Sequence, residues 1–236
     1  MKQNFLFDID GTLTPPRQRI REEFEEYFFN WMNDKKVFLV TGSDYSKIKE
    51  QLSERIIDKC EGIFCSMGNE LYIGTNLIYS NKLEIEERLL SYLSQQITAS
   101  KFIPKNTKNF EFRTGMLNFS IIGRDCTQDQ RERYYEWDKV EGEREKIAAH
   151  INENYSNIEA CVGGQISIDI QNKGNNKSLA SKRIRKEGRG HIYFFGDKTN
   201  VGGNDWDICN DIDLNKDGKW FNVENIDELK KILENF

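Results

Sequence analysis

Residues 4–14 read Asn4-Phe5-Leu6-Phe7-Asp8-Ile9-Asp10-Gly11-Thr12-Leu13-Thr14, an apolar run that stops at a carboxylate and turns on a glycine. A run this short, closed by Asp and Gly, predicts a buried strand. Outward from it, residues 20–32 carry Ile20, Phe24, Tyr27, Phe28 and Trp31 at helical spacing. A second apolar run, 37–40, ends in Thr41-Gly42-Ser43-Asp44, residues 45–52 read as helix, and 62–65 form a third run. Strand, helix, strand, helix, strand implies a parallel sheet with covering helices, and ligands of such sheets lie beyond the carboxyl ends of the strands. Asp8 and Thr41 fall there.

The middle of the chain has another rhythm. Residues 84–96 read as helix, and the alternating runs 110–122 and 161–170 flank a long charged helix over 128–153. Alternation of this kind predicts an antiparallel sheet with helices on one face. The first rhythm returns with a helix near 178–186, a strand at 191–195 and a closing helix at 226–236. The expected organisation is therefore one domain from 1–81 and 176–236, with a second, 82–175, inserted; no internal repeat is visible.

Composition narrows the function classes. The 236 residues are 37% hydrophobic and 12% aromatic with only 3 prolines, which excludes a disordered or fibrous chain. With 34 Lys plus Arg against 39 Asp plus Glu, the net charge of −5 offers no uniform field for nucleic acid or an anionic membrane. Any anion site must be a pocket. The first apolar run is interrupted by Asp8 long before it reaches the length of a signal-peptide core or a membrane helix, so the expected location is the cytoplasm. Cys60, Cys65, Cys126, Cys161 and Cys209 are odd in number and lack CxxC spacing, as reduced and mostly buried thiols would. His150 and His191 are the only histidines, which argues against a His-based triad or zinc site. The chemistry must rest on carboxylates, Lys and Arg.

Asp8 and Asp10 are two apart on extended chain and so point roughly the same way. One carboxylate serves as nucleophile while the other handles a proton, and a hard cation such as magnesium would let them engage a phosphoryl group. Phe194-Phe195-Gly196-Asp197-Lys198 repeats the strand-end carboxylate and is followed by Gly202-Gly203-Asn204-Asp205. Asp-Gly and Asn-Asp are also ordinary turn formers. Lys177, opening the 178–186 helix, would neutralise a phosphoryl oxygen, although a lone Lys is usually solvated. In Ile166-Ser167-Ile168-Asp169-Ile170 the alternation buries three Ile and turns Ser167 and Asp169 to the other face, where a polyol can be hydrogen-bonded. Thr127-Gln128-Asp129-Gln130 fits a capping box, putting Arg131 in the first turn of a helix whose free N–H groups favour anions.

Taken in order, Asp8 with Asp10, Thr41, Lys177 and Asp197 match the four motifs of the haloacid dehalogenase (HAD) superfamily. FDIDGTLTPPRQRI (7–20), FEFRTGMLNFSIIGRDCTQDQR (110–131), GGQISIDI (163–170) and YFFGDKTNVGGNDWDI (193–208) further resemble the eukaryotic-type phosphomannomutases, over nearly the whole chain. The resemblance implies an α/β fold, a Rossmann-like HAD core with a parallel sheet plus an inserted α/β cap with an antiparallel sheet. It implies that Asp8 is the nucleophile forming an aspartyl phosphate and Asp10 the general acid/base. Mg2+ would be held by Asp8, Asp197 and the backbone carbonyl of Asp10. Arg17 beside the nucleophile loop, Arg113, Arg124 and Arg131 in the cap, and Ser167 and Asp169 would bind substrate. The implied reaction interconverts mannose 6-phosphate and mannose 1-phosphate through a hexose 1,6-bisphosphate, also the activator, and feeds GDP-mannose synthesis. The implied assembly is a homodimer through the cap.

A mutase must present either phosphate of a bisphosphate to Asp8, so the second phosphate needs its own clamp. Arginines on a mobile cap would supply one and keep water from the aspartyl phosphate. Two other readings stand beside this: a magnesium-dependent sugar-phosphate phosphatase, and a catalytically silent sugar-phosphate-binding relative. Thr41 stands where the family has Gly, so either Thr41 or Ser43 is the hydroxyl for the phosphoryl group. Gly68-Asn69-Glu70-Leu71 replaces the family's Glu-Asn-Gly-Leu, and Asn172-Lys173-Gly174-Asn175-Asn176 lacks its aromatic residue; both bear on sugar preference. Asp213-Leu214-Asn215-Lys216-Asp217-Gly218 with Glu224 spells a calcium-loop pattern, but the strand-like residues after it favour an Asp-Gly turn. A second cation near Asp211 and Asp213 is the remaining expectation.

Overall fold

The computed structural model describes residues 3–188 and 190–236; residues 1 and 2, with which the expected 1–81 segment begins, lie outside the described residues. The chain forms β1 (Gln3–Phe7), α1 (Glu22–Trp31), β2 (Lys36–Val40), α2 (Tyr45–Gln51), α3 (Glu54–Lys59), β3 (Gly62–Cys65), β4 (Glu70–Ile73) and β5 (Asn76–Ser80). There follow α4 (Glu87–Ala99), β6 (Phe110–Arg113), β7 (Met116–Ser120), α5 (Gln128–Glu141), α6 (Glu143–Asn154), β8 (Ile158–Gly163) and β9 (Ser167–Asn172). It ends with α7 (Ser178–Lys186), β10 (His191–Gly196), α8 (Trp206–Asn215), β11 (Gly218–Asn222) and α9 (Ile226–Leu233). Two compact units result, Met1–Ser80 with Asn175–Phe236, and Asn81–Gly174.

The first unit is built on a seven-stranded sheet ordered β11-β10-β1-β2-β3-β4-β5. Strands β11 to β3 are parallel, whereas β4 and β5 run antiparallel at the edge. The expected parallel sheet is present, extended at one edge by the antiparallel pair β4 and β5. The hairpin turns at Gly74, whose φ of +55° suits glycine. Alternate side chains divide between two cores, the reason the central strands are apolar throughout. Phe5, Phe7, Val37, Leu39, Ile63 and Phe195 pack under α1, α2, α3 and α9. Leu6, Phe38, Val40, Phe64, Ile192 and Phe194 pack under Ala180 and Ile184 of α7 and Ile208, Cys209 and Ile212 of α8. With helices on both faces, the functional side chains are left to the strand ends.

The second unit has a four-stranded antiparallel sheet ordered β6-β7-β9-β8. Leu117, Phe119, Ile168, Ile170, Ile158 and Ala160 face Leu89 and Leu93 of α4, Tyr134 of α5 and Ile147, Ala148 and Ile151 of α6. Each alternating run of the sequence proves to cross a hairpin: 110–122 contains β6 and β7, and 161–170 contains parts of β8 and β9. The single charged helix expected over 128–153 is two helices, because Gly142 takes a left-handed φ of +63° and ends α5. Helix α4 starts at Glu87 rather than at residue 84. The capping box at Thr127 and Gln130 is present. All five cysteines are free; Cys60, Cys65 and Cys209 are buried, Cys126 is half-buried and Cys161 is exposed. Among the described residues no helix is long and apolar enough to cross a membrane.

Candidate active site

The parallel strands bring one acidic group to their carboxyl ends. β1 pairs with β10 through Phe7 and Phe195, and the Asp8 N–H extends the ladder to the Phe195 carbonyl at 2.9 Å. Asp197 follows β10 directly, so the first and last carboxylate motifs end on neighbouring strands. Asp205, immediately before α8, is fully buried and accepts from the Lys198 N–H at 3.1 Å. Lys177, at the start of α7, has no exposed surface; its ammonium donates to Asp8 Oδ1 and, at 2.6 Å, to Asp205 Oδ1. The solvated Lys considered from the sequence is therefore excluded. The Thr12 hydroxyl donates to Asp8 Oδ2 at 3.4 Å. Gly11, at φ +93°, is required here: a Cβ would collide with the Asp197 carboxylate. At Gly196 a Cβ would stand 2.5 Å from Asp205 Oδ2.

Asp8, Asp197 and Asp205 each offer an oxygen, all within 4.8 Å of one another. Three carboxylates around one ammonium leave two formal negative charges uncompensated. Burial pushes the Asp8 carboxyl up to about 7; Lys177 pulls it down, while Asp205 and Asp197 add to the rise. Burial also raises Asp197. For Lys177 burial acts against the charge, but Asp8 and Asp205 outweigh it and hold the ammonium above its ordinary range. Asp197 Oδ1 is buried with no hydrogen-bond partner among the described residues. An all-oxygen donor set, an unsatisfied buried oxygen and a charge deficit of two suit one hard divalent cation. The carboxylates found together are Asp8, Asp197 and Asp205; Asp205 is an addition to the sequence reading, whose third ligand was the backbone carbonyl of Asp10.

Asp10 stands beside this group on a tight turn, in which the N–H groups of Leu13 and Thr14 both reach the Ile9 carbonyl, at 3.1 and 3.0 Å. Its Oδ1 accepts from the Arg17 N–H at 2.6 Å and from Gln51 Nε2 at 2.8 Å. Arg17 thus meets Asp10 through its backbone, at a left-handed φ of +60°, while its side chain is exposed. Thr41 is buried past the end of β2, and its Oγ1 accepts from the Ser43 N–H at 3.1 Å; Ser43 is half-buried. Neither hydroxyl bonds to the carboxylate group.

In the second unit the sheet face away from the helices is polar. Asn118 pairs with Asp169, Ser120 with Ser167, and Glu111 with Asn118 across the strands. Asn118 Nδ2 donates to Asp169 Oδ1, and the Ser167 hydroxyl donates to the Gly163 carbonyl at 2.8 Å. Arg113 forks onto Glu111 at 3.1 and 2.9 Å, and Arg124 Nε reaches the same carboxylate at 2.9 Å. The structure therefore gathers Arg113 and Arg124 on one carboxylate and sets Ser167 and Asp169 on the polar face. Arg131 lies in the first turn of α5, half-buried, with no side-chain partner among the described residues.

The calcium-loop pattern is not a loop: Asp213 and Asn215 belong to α8 and Gly218 opens β11. Asp211 accepts from Ser181 and Arg185, Asp217 from Arg185, and Asp213 from Trp220 Nε1. Among the described residues these carboxylates join no cluster of three metal-binding side chains. Sequence reasoning missed Asp205, Gln51, Glu111 and Asn118. For Asp205 the signal was its glycine-rich approach, Gly202-Gly203-Asn204, read there as an ordinary loop.

Among solved structures, a haloacid dehalogenase-like hydrolase from Bacteroides thetaiotaomicron is similar in fold, with a TM-score of 0.64 at 12% identity, covering 100% of this chain and 99% of that one. The fold is that of the haloacid dehalogenase superfamily. Residues 24–235 match the family model described as eukaryotic phosphomannomutase. Phosphomannomutase 1 of Dictyostelium discoideum is 34% identical, over 97% of this chain and 94% of its own length. Phosphomannomutase of Encephalitozoon cuniculi is 33% identical, over 90% and 86% respectively. The chain belongs to the eukaryotic phosphomannomutase family.

Proposed function

We propose that this chain is an isomerase that interconverts mannose 6-phosphate and mannose 1-phosphate by way of a hexose 1,6-bisphosphate. The observation that carries the reading is the buried group of Asp8, Lys177, Asp205 and Asp197 at the strand ends of a member of this family. An oxygen of Asp8 attacks phosphorus as the bond from phosphorus to the sugar oxygen breaks, leaving an aspartyl phosphate. Asp10 gives its proton to the departing sugar oxygen. In the return step Asp10 takes the proton of the other sugar hydroxyl, whose oxygen attacks the phosphoryl group and frees Asp8. Lys177 fixes Asp8 Oδ1 and supplies positive charge to the phosphoryl oxygens. Magnesium would be held by Asp8, Asp197 and the backbone carbonyl of Asp10, with Asp205 beside them, and when bound would offset the repulsion between phosphate and nucleophile.

Arg113, Arg124 and Arg131 take the phosphate that is not being transferred, since Arg offers bidentate phosphate contacts and the Arg131 side chain has no partner among the described residues. Arg17 joins them as a substrate residue, and Ser167 and Asp169 bind sugar hydroxyls. Thr41 or Ser43 contacts the phosphoryl group; half-burial favours Ser43, whose hydroxyl accompanies a backbone already tied to Thr41. Hexose 1,6-bisphosphate acts as activator, the setting is the cytoplasm, the product feeds GDP-mannose synthesis and the working form is a homodimer through residues 82–175; family membership supports these. The test is Asp8→Asn assayed with mannose 1-phosphate, magnesium and glucose 1,6-bisphosphate. Loss of mannose 6-phosphate formation is expected, and retained turnover would overturn the nucleophile assignment.

A further inference from the structure

Gln51 closes α2 and is buried, with 4% of its surface exposed. Its Nε2 lies 2.8 Å from Asp10 Oδ1, 3.3 Å from Thr14 Oγ1 and 3.5 Å from the Gln18 carbonyl. The amide orientation is fixed by its surroundings. A carboxylate and a carbonyl can only accept, and the Thr14 hydroxyl spends its proton on the Ile9 carbonyl at 3.2 Å, so all three neighbours need a donor. The backbone is held as well, because the Gln51 carbonyl accepts from the Ile20 N–H at 2.9 Å. Gln51 is therefore a rigid donor delivered by a helix end, and Asp10 Oδ1 receives it together with the Arg17 N–H. Both contacts fall on one oxygen; Oδ2 has no protein partner among the described residues.

We infer that Gln51 is a positioning residue: by locking Oδ1 it turns Oδ2 of Asp10 toward the sugar oxygen that must gain or lose a proton. The inference rests on the acid/base role proposed for Asp10. A carboxylate free to rotate about its side-chain bonds delivers a proton in few of its orientations, so the held rotamer contributes through alignment.

Leaving-group dependence separates this from a structural role. A sugar alkoxide departs from phosphorus only with a proton, whereas 2,4-dinitrophenolate departs unaided. Phosphorylation of Asp8 by 2,4-dinitrophenyl phosphate, read as the single-turnover burst of dinitrophenolate, thus bypasses Asp10. Gln51→Leu should lower kcat with mannose 1-phosphate by about 10- to 100-fold at nearly unchanged KM. Its dinitrophenolate burst should stay within about twofold of wild type. Gln51→Glu, which keeps size but removes the donors, should behave alike. Parallel loss of both reactions in both variants would overturn the inference in favour of a structural role, and so would unchanged mutase turnover. Asp10→Asn tests the reading beneath it: that variant should show the same selectivity with a larger loss. Loss of both reactions there would remove the acid/base role itself, whereas selectivity in Asp10→Asn without selectivity in Gln51→Leu would remove only the role of Gln51.

Discussion

Lys177 Nζ lies 2.6 Å from Asp205 Oδ1, and neither side chain has any exposed surface. The same ammonium holds Asp8, so one buried cation spans two carboxylates that arrive from β1 and from the approach to α8. Removing one partner of a buried ion pair costs about 3–5 kcal/mol, because the charge left behind is uncompensated. Lys177→Met strands two carboxylates, and Asp205→Asn leaves Lys177 still paired with Asp8. In urea unfolding at pH 8 without magnesium, Lys177→Met should be the less stable variant, about 3–5 kcal/mol below wild type. Equal stability of the two would contradict the shared-cation geometry.

The metal-free protein should weaken as pH rises from about 4 to about 7 and level off above. Folding raises the Asp8 carboxyl from 3.8 to about 7, so the folded state holds a proton that the unfolded chain has released. That contribution is fully present below about 4 and is lost as pH climbs through about 7. A divalent cation binds the ionised carboxylate, so magnesium should raise the melting temperature more at pH 8 than at pH 5.5. Differential scanning calorimetry with EDTA or magnesium, on wild type and Asp8→Asn, isolates the effect. An equal gain at both pH values would count against Asp8 as a ligand.

Much of this centre is legible in the sequence, for a physical reason. Asp8 and Asp197 close runs of buried apolar residues, and a strand end in a helix-covered parallel sheet is where polar side chains can emerge. Asp205 and Gln51 announce nothing locally. Asp205 acquires its place only when Lys177, 28 residues away in sequence, is folded against it, and Gln51 meets Asp10 across 41 residues. The first hairpin of the second unit is hidden because its Thr114-Gly115 turn is only two residues long, and the shift of the alternation from even positions at Phe110 and Phe112 to odd ones at Leu117 and Phe119 reads as one run. Gly142 stood within an otherwise helical charged run; only its left-handed backbone reveals a C-cap.

Gly163→Ala should impair sugar binding more than folding. A Cβ at that position would stand 2.5 Å from Asp169 Oδ2, so the carboxylate must rotate and give up the Asn118 amide. Losing one such hydrogen bond costs about 1–3 kcal/mol. Steady-state kinetics should show KM for mannose 1-phosphate up about tenfold or more, with kcat changed far less; an unaltered KM would argue against Asp169 as a sugar contact.

Arg144 ties the second unit together. Its Nε meets Asp138 Oδ2 at 2.7 Å with both side chains 5% exposed, and its guanidinium donates to the carbonyls of Gly164 and Ser167 at 3.0 and 3.3 Å. Arg144→Met leaves Asp138 buried and unpaired, and a loss of about 3–5 kcal/mol in denaturant unfolding is expected. A loss below about 1 kcal/mol, the range of surface pairs, would show that water reaches this pair.

Phosphorus NMR of the protein with magnesium and mannose 1-phosphate, with and without a trace of glucose 1,6-bisphosphate, addresses transfer through Asp8 most directly. Transfer through Asp8 requires growth of the mannose 6-phosphate resonance that depends on the bisphosphate, with little free phosphate. Accumulating inorganic phosphate would contradict it, because water rather than a sugar hydroxyl would then be taking the phosphoryl group, and an unchanged spectrum would leave a protein that binds hexose phosphates without turning them over.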